Sequence, residues 1–260
     1  MVTTVVADIY STFLGREVTI SILLPPGHKS EERCPLVLFN DGQDFAALNM
    51  GDTFADLLTR GRIVRSVVVG IHANADRISE YGVAAQADYA GRGDRAGATA
   101  QFVVKELSPF LVNQYHVKPT GGTYAGFSLG GLMALDIVWN NPDIFARAGV
   151  FSGALWWRQK SLDAGYQDSD RIMHGQIRAG SKKPGLKFWF QCGTLDETDD
   201  RDGDGVIDSI QDTLECIAEL ERKGYAWKKD IQYVEAKDGR HDQHTWSQVL
   251  PDFLQWALGK

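Results

Sequence analysis

Apolar positions along the chain fall into two kinds of run that take turns. Residues 17–27, EVTISILLPPG, alternate β-branched or apolar residues with polar ones and stop at Pro25-Pro26-Gly27, which predicts a strand running into a turn. Residues 34–42, CPLVLFNDG, and 63–71, IVRSVVVGI, are near-continuous apolar runs, as expected of strands covered on both faces. Between them, residues 52–62 space Phe54, Leu57 and Leu58 at helical intervals behind Asp52, a candidate N-cap. Residues 72–98, HANADRISEYGVAAQADYAGRGDRAGA, break the pattern: glycine-rich and charged, they predict a long loop of the functional or mobile kind.

Helical spacing returns from about Thr99 to Tyr115. GTYAGFS is then a short strand, LGGLMALDIVWNNP a helix closed by Asn141-Pro142, and residues 147–155 and 186–196 are further strands. Residues 212–225 predict a helix, 230–236 a strand, and HTWSQVLPDFLQWALG a helix interrupted near Pro251. Strand and helix alternate with no linker or repeat. The expectation is one α/β domain over residues 1–260, a doubly wound, mostly parallel sheet with helices on both faces. Such sheets bind ligands beyond the carboxyl ends of their strands, so the chemistry is sought in the loop after each strand.

Composition narrows the partners. A net charge of -7 with no basic stripe argues against nucleic acid, and no apolar run approaches a membrane span. The amino-terminal stretch lacks the basic and apolar segments of a secretory signal. Cys34, Cys192 and Cys216 have no metal-type spacing and read as reduced thiols, so a cytoplasmic protein is expected.

Gly126-Phe127-Ser128-Leu129-Gly130 fits G-x-S-x-G between a strand and a helix, the setting of a nucleophilic serine on a sharp turn. Glycine is required two positions either side, because a side chain there would strike neighbouring backbone. A serine hydroxyl needs a base, and the base a group to orient it. Beyond this motif the partners follow in the order acid, then histidine. Asp196 and Glu197 stand just past the strand FWFQCGTL, and His241 and His244 both lie in the last loop before the final helix. Asp196 is preferred for its shorter, more rigid arm, and His241 because it lies in irregular chain rather than at the helix start. His72, at a strand end, could line the site; His28 and His116 flank turns, and His174 falls in a polar linker. The oxyanion of acyl transfer needs two backbone donors. Leu129 supplies one, and Gln43, turned back by Gly42, the other.

With these residues assembled, the chain resembles the α/β-hydrolase esterases of the esterase D and enterochelin-esterase type, a group with feruloyl and acetyl-xylan esterases that is similar to the mycolyltransferases. The resemblance is carried by LFNDGQDF, DRISEYG with DYAGRG, AGFSLGG, FSGALWW, CGTLDE and GRHDQHTWSQVLPDFLQW. It implies that the base is the histidine five residues before Trp246, which is His241. It also implies that the acid is Asp196 of the G-T-x-D turn, and that Gln43 after Asp-Gly is the second oxyanion donor. The expected activity is hydrolysis of a small-molecule ester through an acyl-enzyme, with no organic cofactor. An acyltransferase on the same triad, or a non-catalytic binding protein on this scaffold, are the alternatives.

Two further features carry expectations. Trp156 and Trp157 follow a strand, and with Tyr81 of the long loop they are candidate walls of an acyl or aromatic pocket. DDRDGDGVIDSIQD (199–212) has the spacing of a calcium loop: Asp200, Asp202, Asp204, the Val206 carbonyl and Asp208 as oxygen ligands, with Gly205 at the turn. Gln211 stands where a bidentate acid belongs. A structural Ca2+ that steadies the loop after Asp196 is therefore expected.

Overall fold

A computed structural model describes residues 1–29 and 32–259. Eight strands form one sheet: β1 (Thr3–Ser11), β2 (Arg16–Leu24), β3 (Leu36–Asn40), β4 (Val67–Ile71), β5 (Gly122–Phe127), β6 (Phe145–Phe151), β7 (Lys187–Leu195) and β8 (Ile231–Arg240). Their spatial order is β1-β2-β4-β3-β5-β6-β7-β8. The β1–β2 and β2–β4 pairs are antiparallel, and every other neighbour is parallel. This is the mostly parallel sheet of an α/β-hydrolase fold.

Helices cover both faces because each central strand is apolar on both sides. Successive side chains alternate between faces: Leu38 and Phe190 join one core, Val37, Phe39 and Trp189 the other. On the first face lie α3 (Ala96–Gln101), continued by a π-helical stretch at Phe102–Leu107 into α4 (Ser108–Gln114), then α5 (Leu129–Asn140), α6 (Ile172–Ala179) and α7 (Asp208–Arg222). On the second lie α1 (Met50–Thr59) and α8 (Gln243–Leu258), whose Phe54, Leu57, Leu250 and Phe253 pack on Phe39, Phe127 and Phe151. Helix α5 is buried from Leu129 through Trp139, which fixes its first turn firmly. No helix among the described residues is long and apolar enough to cross a membrane.

Several expectations are corrected. β1 is a strand that the hydrophobic pattern did not reveal, since as an edge strand it leaves much of its length exposed. Asn49, in a left-handed conformation, precedes α1, and Asp52 lies inside its first turn rather than capping it. Residues 72–98 are not free loop: they contain α2 (Arg77–Glu80), and Glu80 is buried in an ion pair with Arg16. Pro251 does not interrupt α8. His174 belongs to α6, buried, with Nε2 2.8 Å from the Asp212 carbonyl oxygen; burial lowers its pKa to about 3, so it is a neutral structural ring.

Candidate active site

Ser128 leaves β5 at φ 55° and ψ -121°, a backbone conformation that side chains other than hydrogen rarely adopt. Its N–H bonds to the Phe151 carbonyl at 2.9 Å, and its carbonyl accepts from Ala154 at 3.1 Å, so β6 and the turn after it hold the elbow. The flanking glycines are required by space. A Cβ on Gly126 would sit 2.3 Å from the Gly130 oxygen, and one on Gly130 would sit 2.8 Å from Asp41 Oδ2. Ser128 is half-buried, while the residues before it are buried.

The second turn of the site follows β3. Here Asp41, not Gly42, takes the left-handed conformation, at φ 61°. Gly42 is needed because its Cβ would lie 2.4 Å from the Gly70 carbonyl carbon of β4. Asp41 is buried and held by Arg77 at both oxygens, Nε to Oδ1 at 2.7 Å and Nη2 to Oδ2 at 2.8 Å. Arg77 Nη2 also reaches the Phe127 carbonyl at 3.3 Å, which ties this turn to the residue before Ser128. Asn40 donates to the Gly130 carbonyl at 2.8 Å and accepts from the Tyr124 hydroxyl at 2.7 Å. Two turns from different strands are thereby fixed against each other. The N–H groups of Gln43 and Leu129 find no acceptor among the described residues, whereas the neighbouring Asp44 N–H bonds to the Asp41 carbonyl.

Asp196 and His241, the candidate acid and base, leave adjacent strands. Leu195 of β7 pairs with Arg240 of β8, so Asp196 and His241 are the next residues off two neighbouring strand ends. Asp196 Oδ2 accepts the Gly193 N–H at 2.9 Å, while Oδ1 is buried with no partner at hydrogen-bond geometry among the described residues. Burial raises the Asp196 pKa, against the opposing pull of the Gly193 N–H, the Ser152 hydroxyl and His241. His241 has an edge open to solvent, yet the protein around its ring lowers its pKa; Asp196 opposes this and the Arg77 charge adds to it. Trp246 joins the parts. Its ring stacks on Phe127 at 4.9 Å and meets the His241 ring edge-on at 5.3 Å, and its Nε1–H bonds to Ser152 Oγ at 2.9 Å. The alternatives lie elsewhere: Glu197 turns toward Ser209, and His244 bonds to Gln248 at 3.0 Å. His72 pairs with Ser21 at 2.8 Å.

The expected pocket walls separate. Trp157 is fully buried, donates to the Gln86 carbonyl at 3.3 Å and packs against Gly82 and Gly93, so it is core and not a wall. Tyr81 is likewise buried, beneath the Arg77 guanidinium at 5.0 Å, and supports Arg77 instead of lining an open surface. Trp156 stays half-exposed, with the Arg92 guanidinium 4.7 Å over its ring. In the acidic loop, carboxylate oxygens of Asp200, Asp202 and Asp204 lie within 4.8 Å of one another. Asp208 is a correction: it ion-pairs with Arg201 at 3.2 Å and accepts the Arg201 N–H at 2.9 Å, so it does not join that cluster. The turn at Val206 is held by its N–H bond to Asp204 at 2.8 Å.

The residues that sequence reasoning missed are those that hold others: Asn40, Asp41, Arg77, Tyr124 and Ser152. One signal was available, since LFND places an uncharged amide and an acid directly after a run buried on both faces.

A family model described as "Putative esterase" matches residues 11–257. The curated "Uncharacterized protein YjcH" of Bacillus subtilis (strain 168) is 25% identical over 256 residues, spanning 96% of this chain and 95% of that one. Among solved structures, the enterobactin esterase FES from Shigella flexneri, determined in the presence of enterobactin, is similar at a TM-score of 0.77 and 20% identity. That likeness covers 98% of this chain but 58% of FES. A ferulic acid esterase is similar at a TM-score of 0.71 and 17% identity, over 99% of this chain and 98% of the other. These structural likenesses speak to the shared fold.

Proposed function

We propose that this chain, which belongs to the Esterase family, is a serine hydrolase that works through an acyl-enzyme with Ser128 as nucleophile, His241 as base and Asp196 as the acid that orients it. Ser128 Oγ attacks the ester carbonyl carbon as its proton passes to His241. The carbonyl oxygen becomes an oxyanion, received by the Leu129 and Gln43 N–H groups; each such donor contributes ~3 kcal/mol to the transition state. The intermediate collapses by breaking the bond to the alkoxy oxygen, and His241 returns its proton to the departing alcohol. Water then repeats the sequence, with His241 taking its proton, and releases the acid and free Ser128. Asp196 keeps the imidazole in one tautomer and favours its charged form.

One observation carries this reading: a strained, half-buried serine stands at an elbow, and the N–H groups of Leu129 directly after it and of Gln43 have no acceptor among the described residues. The test is hydrolysis of p-nitrophenyl esters from acetate to octanoate, with methyl ferulate, by wild type and Ser128→Ala. Activity confined to wild type, with fluorophosphonate labelling of Ser128, supports it. A fully active Ser128→Ala protein sinks it.

We also propose a structural Ca2+ in the acidic loop, with Asp200, Asp202, Asp204 and the Val206 carbonyl as ligands. The donor set is hard oxygen, which suits this cation. Crowded carboxylates also repel one another unless a cation neutralises them. A melting temperature raised by Ca2+ and lowered by chelation supports the site; no change in either direction refutes it.

A further inference from the structure

A cavity of about 220 Å³ on the same rim of the sheet carries opposite charges on its walls. One wall holds Arg158, whose guanidinium carbon lies 5.4 Å from the Tyr89 ring centre, 5.9 Å from that of Trp156 and 5.5 Å from that of Tyr166. Its Nε is buried without a hydrogen-bond partner, and Nη1 has only the Trp156 carbonyl at 3.4 Å. Arg158 forms no ion pair among the described residues, although Glu197 and Asp199 line the same cavity. Glu197 Oε1 is also buried and unpartnered. The other charged groups there are already matched, Arg92 with Asp88 at 2.7 Å and Asp208 with Arg201 at 3.2 Å. The charges left over are therefore of opposite sign, share one space and do not meet.

Several residues that line the cavity lie close along the chain to residues of the candidate site. Trp156 and Arg158 follow Ala154, whose N–H bonds to the Ser128 carbonyl, and Glu197 follows Asp196. At about 220 Å³ it is smaller than the ~300–1,000 Å³ pockets that enclose a whole ligand, so it suits one part of a substrate. Charged side chains that line one cavity without pairing with each other leave it able to take a ligand carrying both signs of charge. Stacked aromatic rings hold a guanidinium flat and leave its in-plane N–H groups for a carboxylate. Glu197 and Asp199 supply acceptors for a donor cation.

We propose that this cavity is a subsite for the zwitterionic part of an ester, an α-amino-acid unit whose carboxylate lies on Arg158 and whose ammonium lies between Glu197 and Asp199. The inference rests on the reading of Ser128 as nucleophile. The test measures acetate release from O-acetyl-L-serine (zwitterion), 2-acetoxypropanoate (anion) and isopropyl acetate (neutral) at mildly acidic pH, with p-nitrophenyl acetate as reference. Wild type prefers the zwitterion to the neutral ester in kcat/KM by about tenfold to a hundredfold, the worth of one or two charge-assisted hydrogen bonds. Arg158→Gln lowers that ratio by at least about tenfold, with folding checked by its melting curve. Glu197→Gln abolishes the preference of zwitterion over anion while the anion still exceeds the neutral ester. Equal handling of zwitterion and neutral ester by wild type, or an unchanged ratio in Arg158→Gln, overturns the subsite while turnover of p-nitrophenyl acetate leaves the nucleophile assignment standing. Failure on all four esters, with no fluorophosphonate labelling of Ser128, overturns the assignment itself and the subsite with it.

Discussion

Replacing Arg77 by glutamine removes the cation that holds the Asp41 turn against the Ser128 elbow. Two charge-assisted bonds at 2.7 and 2.8 Å are lost, with the weaker one to the Phe127 carbonyl at 3.3 Å. What remains is a carboxylate whose side chain is 3% exposed and has no counter-charge. Orphaning one member of a buried pair costs about 3–5 kcal/mol. The Arg77 side chain is 29% exposed, so water can enter the space it leaves and the cost falls near the lower figure. For a chain of this size about 3 kcal/mol is a fall of roughly 6–12 °C in melting temperature. A second readout separates positioning from mere support. The Arg77 charge lowers the His241 pKa, so its removal, with Asp41 left negative, raises that pKa. In the proposed mechanism His241 must be neutral to accept the serine proton, and the acid limb of kcat/KM therefore moves to higher pH. Differential scanning calorimetry and a pH profile on p-nitrophenyl acetate measure both effects. Adding Asp41→Asn removes the orphan charge and restores most of the lost stability. An Arg77→Gln protein with wild-type melting and an unmoved acid limb would refute the reasoning.

Other variants probe separate parts of the site. Asp196→Asn leaves the fold intact and lowers kcat by about 10³–10⁴-fold, with KM little changed, because the imidazole loses its tautomer and its counter-charge; steady-state kinetics would show it, and a loss below tenfold would return the role to Glu197. Gly130→Ala forces a methyl group to 2.8 Å from Asp41 Oδ2 and 2.9 Å from Asn40 Cβ. Overpacking of this kind costs about 1–3 kcal/mol, read as a lower urea midpoint together with reduced activity. Trp246→Phe keeps a ring against Phe127 but deletes the donor to Ser152 Oγ. About 1 kcal/mol of stability is lost with that bond, and kcat falls because the ring edge that meets His241 is reshaped.

How much of this could be read from the sequence depended on whether geometry restricts residue type. The elbow was legible because only glycine fits at 126 and 130 beside a serine that follows a strand. Chain order offered Asp196 and His241 as candidates, and Leu195 opposite Arg240 gives the reason they emerge together. The Asp41–Arg77 pair was not, because it joins residues 36 apart and, although the run before Asp41 signals burial, nothing local points to Arg77 as its partner. β1 escaped because an edge strand needs few apolar residues. Asp208 fits the spacing of a cation loop, yet spacing holds no information about Arg201, which claims it. Trp157 illustrates the same limit: a position after a strand end fixes which rim a residue occupies, not whether its side chain turns outward or into the core.

The backbone at Ser128 sets stability against use. A residue at φ 55° that is not glycine stores strain of about 1–3 kcal/mol. Ser128→Gly relieves it, less the roughly 0.4–1 kcal/mol of added chain entropy in the unfolded state. The glycine variant is therefore expected to melt higher than the wild type while hydrolysing nothing. A library screened for folded yield alone would drift to glycine at this position, and the same library screened on an ester would keep serine. Comparing the two enrichments would measure, at one residue, how far selection for function holds this chain away from its own most stable sequence.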